Sequence, residues 1–213
     1  VKIMEGFMYV FHPQFDRIMN TIKSNILGDI SYAHSMFSFP IQPARFYRID
    51  RSMENGGGAL WDIGPYAIHT IRQCFEENPT RVKAIAKLNE HGADIATSGL
   101  IDFGKSKRAT FDISFECTRR SEFEAFGALG RIKCPTVWQP EDNQAKIIIN
   151  TESSGLTEEV VPAANHFILE INYFNRVISS DTVSKLSNED AFWNAKTLES
   201  IQQSVKEDGW VNL

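Results

Sequence analysis

The chain has 213 residues, of which 42% are hydrophobic and 23% are charged, and it carries a formal net charge of −5. This composition excludes a disordered or collagen-like chain, and the acidic balance argues against nucleic-acid and anionic-membrane partners. Cys74, Cys117 and Cys134 lack the spacing of metal ligands. We therefore expect free thiols, no metal site and a reducing, cytoplasmic location. The length suits one domain over residues 1–213, and the opening VKIMEGF indicates a piece of something longer.

The first part of the chain predicts a strand, a helix and a second strand. Residues 2–11 are apolar and β-prone, and Pro13 then stands at a typical first position of a helix. Apolar residues follow at three- and four-residue spacing, so we expect a helix that stops by Gly28. Residues 30–39 predict a strand, and residues 40–55 are irregular, polar and aromatic.

Residues 81–161 change to short alternating or β-branched segments separated by turns. This pattern predicts seven strands in RVKAIAKL, ATSGLIDF, KRATFDISFEC, SEFEAFG, GRIKCP, AKIIIN and LTEEVV. Two helices close the chain. The first carries an apolar stripe of Phe167, Ile171, Phe174 and Ile178, and the second begins with a capping box, Ser187 to Asp190.

Consecutive strands with short turns predict an α+β fold built on a large, mostly antiparallel open sheet. The few helices suffice to cover one face of that sheet. The other face would then need a partner, from another domain or from another subunit, and in the second case the chain would form a homodimer or a higher homo-oligomer.

Two glycine-containing motifs match nucleotide-binding patterns on paper. Gly99–Ser106, GLIDFGKS, satisfies the P-loop expression, but its loop positions are strand-like, so we predict a hairpin turn at residues 104–107. The triple glycine Gly56–Gly58 lacks the third glycine of a dinucleotide fingerprint. We interpret it as a tight turn before a helix that reaches about Phe75.

The segment behind the triple glycine carries Asp62, Tyr66 and His69 at helical spacing, which places all three on one face. Pro65 predicts a kink or a helix start within it. In one interpretation Asp62 caps this helix, Tyr66 is half-buried and His69 is a core residue. In the other, Tyr66 exchanges a proton with a substrate, which requires a nearby cation to stabilise the phenolate. The spacing alone leaves both open.

Three stretches resemble one known family: EGFMYVFHPQ at residues 5–14, GGGALWDIGPYAIHTIR at residues 56–72 and GALGRI at residues 127–132. They resemble the C-terminal part of the glucose–fructose oxidoreductase / inositol dehydrogenase (Gfo/Idh/MocA) family. The resemblance implies a substrate-binding and dimerisation domain that follows a Rossmann domain. It also implies hydride transfer between NAD or NADP and a sugar, cyclic polyol or diol.

The same resemblance assigns roles to individual residues. The family's Asp-x-x-x-His/Tyr pair falls on Asp62 and Tyr66, which would be catalytic, and Arg48 and His69 would contact the substrate. The resemblance also implies a lysine upstream of Val1, which would supply the missing cation. It implies that the main cofactor site lies upstream of Val1 as well. His166 is expected to start a helix.

One departure from the family pattern keeps a second hypothesis open. Val10 stands where many relatives carry arginine, so a cationic contact near the site is lost. The alternative is therefore a non-catalytic ligand-binding or regulatory protein on the same scaffold.

Overall fold

The structure is a computed structural model that describes residues 1–140, 145–180 and 184–213. Its α-helices are α1 (Pro13–Lys23), α2 (Ala59–Asp62), α3 (Gly64–Phe75), α4 (His166–Ser179) and α5 (Asn188–Glu207). Its strands are β1 (Ile30–Ser38), β2 (Arg81–Leu88), β3 (Asp94–Gly104), β4 (Lys107–Ser114), β5 (Arg120–Gly127), β6 (Gly130–Cys134), β7 (Lys146–Thr151), β8 (Gly155–Val160) and β9 (Val211–Asn212). Short 3₁₀ helices span Met8–Phe11, Pro43–Arg48 and Met53–Asn55.

The described strands form one large sheet in the order β8-β7-β6-β5-β1-β4-β3-β2-β9. The large sheet is confirmed, but it is mixed, because β1 lies between β5 and β4 and pairs in parallel with β4. The other neighbouring strands of the described sheet pair antiparallel. The short turns between the strands from β2 to β8 predict which of these strands pair with each other. They do not predict the position of β1, because the partners of β1 lie far along the chain.

Side chains alternate between the two faces of the sheet, as the pleat requires. In β1, Ala33 and Ser35 are buried under the helices, and the Ser35 hydroxyl donates a hydrogen bond to the Ala67 carbonyl of α3 over 2.9 Å. The intervening Tyr32 points to the opposite face, where its hydroxyl lies 2.7 Å from the Thr110 hydroxyl of β4. The helices that contact β1–β4 therefore pack on one face.

Residues 2–11 do not form the predicted strand. Phe7 to Phe11 are all buried, so this segment has no exposed side to alternate with, and residues 8–11 turn as a 3₁₀ helix into α1. The His12 imidazole Nδ1 caps α1 by accepting a hydrogen bond from the Gln14 amide over 3.1 Å. The strand prediction is wrong here because burial on all sides removes the two-residue period.

The helix ends follow the sequence signals closely. α4 begins at His166, as predicted, and the Ser187 hydroxyl accepts a hydrogen bond from the Asp190 amide at the start of α5. The β3–β4 connection at Lys105 and Ser106 is a tight turn with both residues at positive φ, which confirms the hairpin rather than a P-loop. In the described ranges, no helix combines the length and the apolar character needed to cross a membrane.

The apolar stripe of α4 faces outward in this domain. Phe167, Ile171 and Ile178 each expose more than half of their surface, whereas Val177 is buried. A stripe of this kind marks a contact surface for another part of a protein or another subunit.

Candidate active site

The junction between α2 and α3 carries two of the predicted site residues, Asp62 and Tyr66. α2 ends at Asp62, Ile63 breaks the helix, and α3 restarts at Gly64 with Pro65 in its first turn. The predicted helix start at Pro65 is confirmed. Asp62 does not cap α3, because α3 begins without a side-chain cap.

The triple glycine fixes where α2 begins. Gly58 has φ +98°, and a Cβ atom there would lie 1.8 Å from the Asp94 Oδ1 atom. Asp94 Oδ2 in turn accepts hydrogen bonds from the Leu60 amide over 2.9 Å and from the Thr97 hydroxyl over 2.7 Å. The glycines therefore allow a buried carboxylate to cap α2, which sets the position of Asp62.

Burial raises the pKa of Asp94 to about 6, from an ordinary value of 3.8. The folded protein then binds this proton more tightly than the unfolded chain, so the stability that this carboxyl contributes is largest below pH 4 and is lost as the pH rises to about 6. We expect a loss of roughly 3 kcal/mol across this window.

Asp94→Asn keeps an acceptor oxygen for the Leu60 amide and removes the titration. Urea unfolding of both proteins between pH 4 and pH 7 should show wild type losing stability relative to the variant as the pH rises. Parallel pH profiles for the two proteins would contradict this expectation.

Arg48, Asp62 and Tyr66 come together around one pocket. The pocket has a volume of about 230 Å³, and Arg45 and Gln139 also line it. The Arg48 guanidinium donates a hydrogen bond to Asp62 Oδ1. Asp62 Oδ2 is buried and has no hydrogen-bond partner among the described residues.

Aromatic rings hold Tyr66 in place and form much of the pocket wall. The Tyr66 ring packs edge-on against Phe7 at 5.4 Å and Phe37 at 5.9 Å between ring centroids. Trp138 stacks on Phe37 at 4.7 Å and also lines the pocket. A pocket with apolar walls and a few convergent polar groups is typical of a small-molecule site.

The electrostatics keep Tyr66 protonated at neutral pH. Burial raises its pKa above the ordinary value, and the charges of Asp62 and Glu170 raise it further, whereas Arg48 lowers it. The hydroxyl is therefore a proton donor in this domain. An additional cation is needed before it accepts a proton.

The structure does not bring His69 to this pocket. His69 is completely buried, and its imidazole lies between the Tyr9 hydroxyl and the Asp190 carboxylate. His69 lies one turn further along α3 than Tyr66 and packs against the rings of Phe7 and Tyr9 instead. Val10 is also buried in the core and does not line the pocket.

Sequence reasoning missed several residues of the pocket, among them Arg45, Trp138 and Gln139. Arg45 belongs to the irregular segment before the glycines, and Trp138 and Gln139 follow β6. Arg45 stood out only as one of several nearby charges, and no motif marked the other two.

The fold and the pocket define the class of protein. Residues 15–133, more than half of the chain, match the GFO/IDH/MocA C-terminal domain, and the chain belongs to this family. The resemblance read from the sequence motifs is thereby confirmed.

Individual relatives extend the comparison. The chain is similar to an uncharacterized oxidoreductase of Rhizobium meliloti, with 28% identity over 98% of this chain and 64% of that protein. It is also similar to a D-xylose 1-dehydrogenase (NADP(+)) of Haloferax volcanii, with 25% identity over 100% of this chain and 65% of that protein. A trans-1,2-dihydrobenzene-1,2-diol dehydrogenase of Xenopus tropicalis is 29% identical over 70% of this chain and 44% of its own length. The chain thus spans less than two thirds of these relatives.

Solved structures agree on the fold. An aldose–aldose oxidoreductase from Caulobacter crescentus, complexed with glycerol, superposes with a TM-score of 0.89 at 17% identity, over 100% of this chain and 64% of that chain. A 3-ketoreductase from Actinomadura kijaniata, in complex with NADP and TDP-benzene, superposes with a TM-score of 0.84 at 23% identity, over 95% of this chain and 62% of that chain.

Proposed function

We propose that this chain is the substrate-binding and proton-transfer part of a nicotinamide-dependent oxidoreductase that acts on a sugar, cyclic polyol or diol. The observation that carries the proposal is the pocket in which Tyr66, Asp62 and Arg48 meet, in a chain of this family. The names of the relatives support a polyhydroxylated substrate, and one of them names NADP.

Each pocket residue has a role that follows from its chemistry. Aromatic walls suit the apolar face of a sugar ring, and Arg48, with Arg45 and Gln139, offers hydrogen-bond donors to its hydroxyls. The unpaired Asp62 Oδ2 atom offers a strong acceptor for a substrate hydroxyl. Tyr66 exchanges the proton of the hydroxyl that is oxidised or formed.

The direction of proton transfer depends on the charge around Tyr66. In this domain the phenol is protonated, which suits donation to a carbonyl oxygen during reduction. Oxidation requires a further cation, and the family resemblance places a lysine for this purpose upstream of Val1.

The nicotinamide cofactor supplies or removes the hydride when it is bound. The Gly56–Gly58 turn does not fit a dinucleotide, because Gly58 packs on the Asp94 carboxylate and Gly57 on the Arg51 backbone. A carboxylate at that position repels phosphate. The family resemblance implies that the main cofactor site lies in a part of the protein that precedes this chain.

Absorbance at 340 nm tests the proposed function directly. The protein from the complete reading frame is mixed with NAD or NADP and, in turn, with an aldose, a cyclic polyol and a trans-diol. We expect reduced cofactor to form with at least one class of substrate, and no turnover by the 213-residue chain alone. Cofactor binding without turnover on any of them would favour the non-catalytic hypothesis, and turnover by the chain alone would contradict the placement of the cofactor site.

We further propose that the open face of the sheet forms a homodimer. Leu100 on β3 lies on this face and is 45% exposed, and Ile26, in the loop after α1 and outside the strands, is 46% exposed. Sedimentation velocity at micromolar concentration should show a dimer that Leu100→Asp weakens and Ile26→Asp leaves intact. A monomeric wild type, or equal effects of the two variants, would contradict the proposal.

A further inference from the structure

A buried chain of polar groups runs from the pocket wall to the first turn of α5. The Trp138 indole Nε1 atom donates a hydrogen bond to the Thr70 hydroxyl over 2.8 Å, and the Thr70 hydroxyl lies 2.9 Å from the Tyr9 hydroxyl. The Tyr9 hydroxyl contacts His69 Nδ1, and His69 Nε2 lies 2.9 Å from Asp190 Oδ2. Trp138, Thr70, Tyr9 and His69 have no exposed surface.

The chemistry of His69 and Asp190 determines which group donates each hydrogen bond in this chain. Burial lowers the pKa of His69, so the ring is neutral and carries one proton. Asp190 only accepts when ionised, and it lies at ion-pair distance from His69 Nε2, while neither atom makes a hydrogen bond of good geometry with any described residue. The His69 proton therefore lies on Nε2, and Nδ1 accepts a proton from the Tyr9 hydroxyl.

The remaining contacts follow from this assignment. The Tyr9 hydroxyl gives its proton to His69, so its oxygen is free to accept from Thr70. Thr70 in turn accepts the indole proton of Trp138. The single Thr70 hydroxyl proton is shared between two acceptors, because the Tyr66 carbonyl oxygen also lies 2.9 Å from the Thr70 hydroxyl. Thr70 thus links the network to the helical turn that carries Tyr66.

Asp190 joins this network to the packing of α5 on α3. Its Oδ1 atom accepts hydrogen bonds from Arg72 over 2.9 Å and from Gln73 over 3.0 Å. Tyr9 also packs on the pocket side, with its ring centroid 6.1 Å from that of Tyr66. A shift of Asp190 or Tyr9 would therefore change the geometry of the pocket through both hydrogen bonds and ring contacts.

We propose that Tyr9, His69 and Asp190 are positioning residues for the candidate active site. None of them lines the pocket, and they act by holding Thr70, which orients the Trp138 indole and the turn that carries Tyr66. The catalytic consequence rests on the proposed function. The structural coupling between Asp190 and Trp138 does not.

Nuclear magnetic resonance of the 213-residue chain tests the coupling without an activity assay. The indole N–H signal of Trp138 should move in Tyr9→Phe and in Asp190→Asn, while the signals of Trp61 and Trp210, which lie outside the network, stay in place. The matched control is Ser204→Ala, which removes a buried hydroxyl that bonds the Ala84 amide. This control should leave the Trp138 signal unchanged.

A Trp138 signal that does not respond to either network variant would overturn the proposal. The wild-type His69 ring provides a check that needs no variant, because its ¹⁵N shifts must show the proton on Nε2. A proton on Nδ1 would overturn the assigned direction of the chain of hydrogen bonds and the proposal with it.

Kinetics of the protein from the complete reading frame test the positioning role. Asp190→Asn and Tyr9→Phe should lower kcat on the order of 10- to 100-fold, the scale of a misplaced catalytic group, with little change in KM. Ser204→Ala should lower the unfolding temperature and leave kcat unchanged. Unchanged kcat in both network variants would overturn the positioning role. An inactive wild type would contradict the proposed function instead, and the Trp138 signal would then decide whether the coupling exists.

Discussion

Under the proposed function, replacing Tyr66 by phenylalanine is expected to lower the turnover of the complete protein at least a hundredfold. The variant removes only the hydroxyl to which we assign proton exchange with the substrate, and positioned acid–base groups contribute on the order of 10²- to 10⁴-fold. The ring contacts with Phe7 and Phe37 do not involve the hydroxyl. Folding and cofactor affinity should therefore remain close to those of wild type.

Tyr32→Phe is a matched control for this prediction. It removes a tyrosine hydroxyl that bonds Thr110 on the opposite face of the sheet, away from the pocket. Steady-state kinetics at saturating cofactor should show nearly full turnover in the control. Wild-type turnover in Tyr66→Phe would remove Tyr66 from the mechanism.

Replacing Gly58 by alanine is expected to have the largest effect on stability. The added Cβ atom would meet Asp94 Oδ1 at 1.8 Å and the Asp94 amide nitrogen at 2.7 Å, and the φ of +98° is itself unfavourable for alanine. Backbone strain of this kind costs on the order of 1–3 kcal/mol, and the clash with a buried carboxylate adds to it. We expect the variant to unfold at a much lower temperature or to fail to fold.

Gly56→Ala separates the clash from the backbone strain. Gly56 also has positive φ, +78°, but a Cβ there meets nothing within 4 Å. This variant should lose only about 1–2 kcal/mol, the cost of a left-handed alanine. Equal losses for the two variants in urea unfolding would show that the Asp94 contact does not limit position 58.

The strands were the most predictable part of the fold. Alternation of apolar and polar residues placed β2 at residues 81–88, as observed, and the ends of most other strands to within a few residues. The position of β1 between β5 and β4 was not predictable, because it depends on pairing between segments far apart in the chain. The strand predicted over residues 2–11 was wrong because the buried part, Phe7 to Phe11, carries no alternation.

The candidate site was predictable where a family motif marked it. The motif marked Asp62 and Tyr66, the looser resemblance of the preceding segment marked Arg48, and all three line the observed pocket. Their roles remain predictions. Asp190 shows the limit of local patterns. Its amide meets the Ser187 hydroxyl as the capping box predicts, but its carboxylate reaches His69 and Arg72 on another helix.

The central claim is that this pocket binds the substrate. Its most direct test is a titration of the 213-residue chain with substrate, monitored through ¹⁵N resonance shifts. The titrant is the sugar, polyol or diol on which the complete protein turns over. We predict shifts of the Trp138 indole and of backbone amides near Arg48 and Tyr66, with weaker binding in Arg48→Met. Shifts confined to another surface, or binding unaffected by Arg48→Met, would contradict the assignment of this pocket as the substrate site.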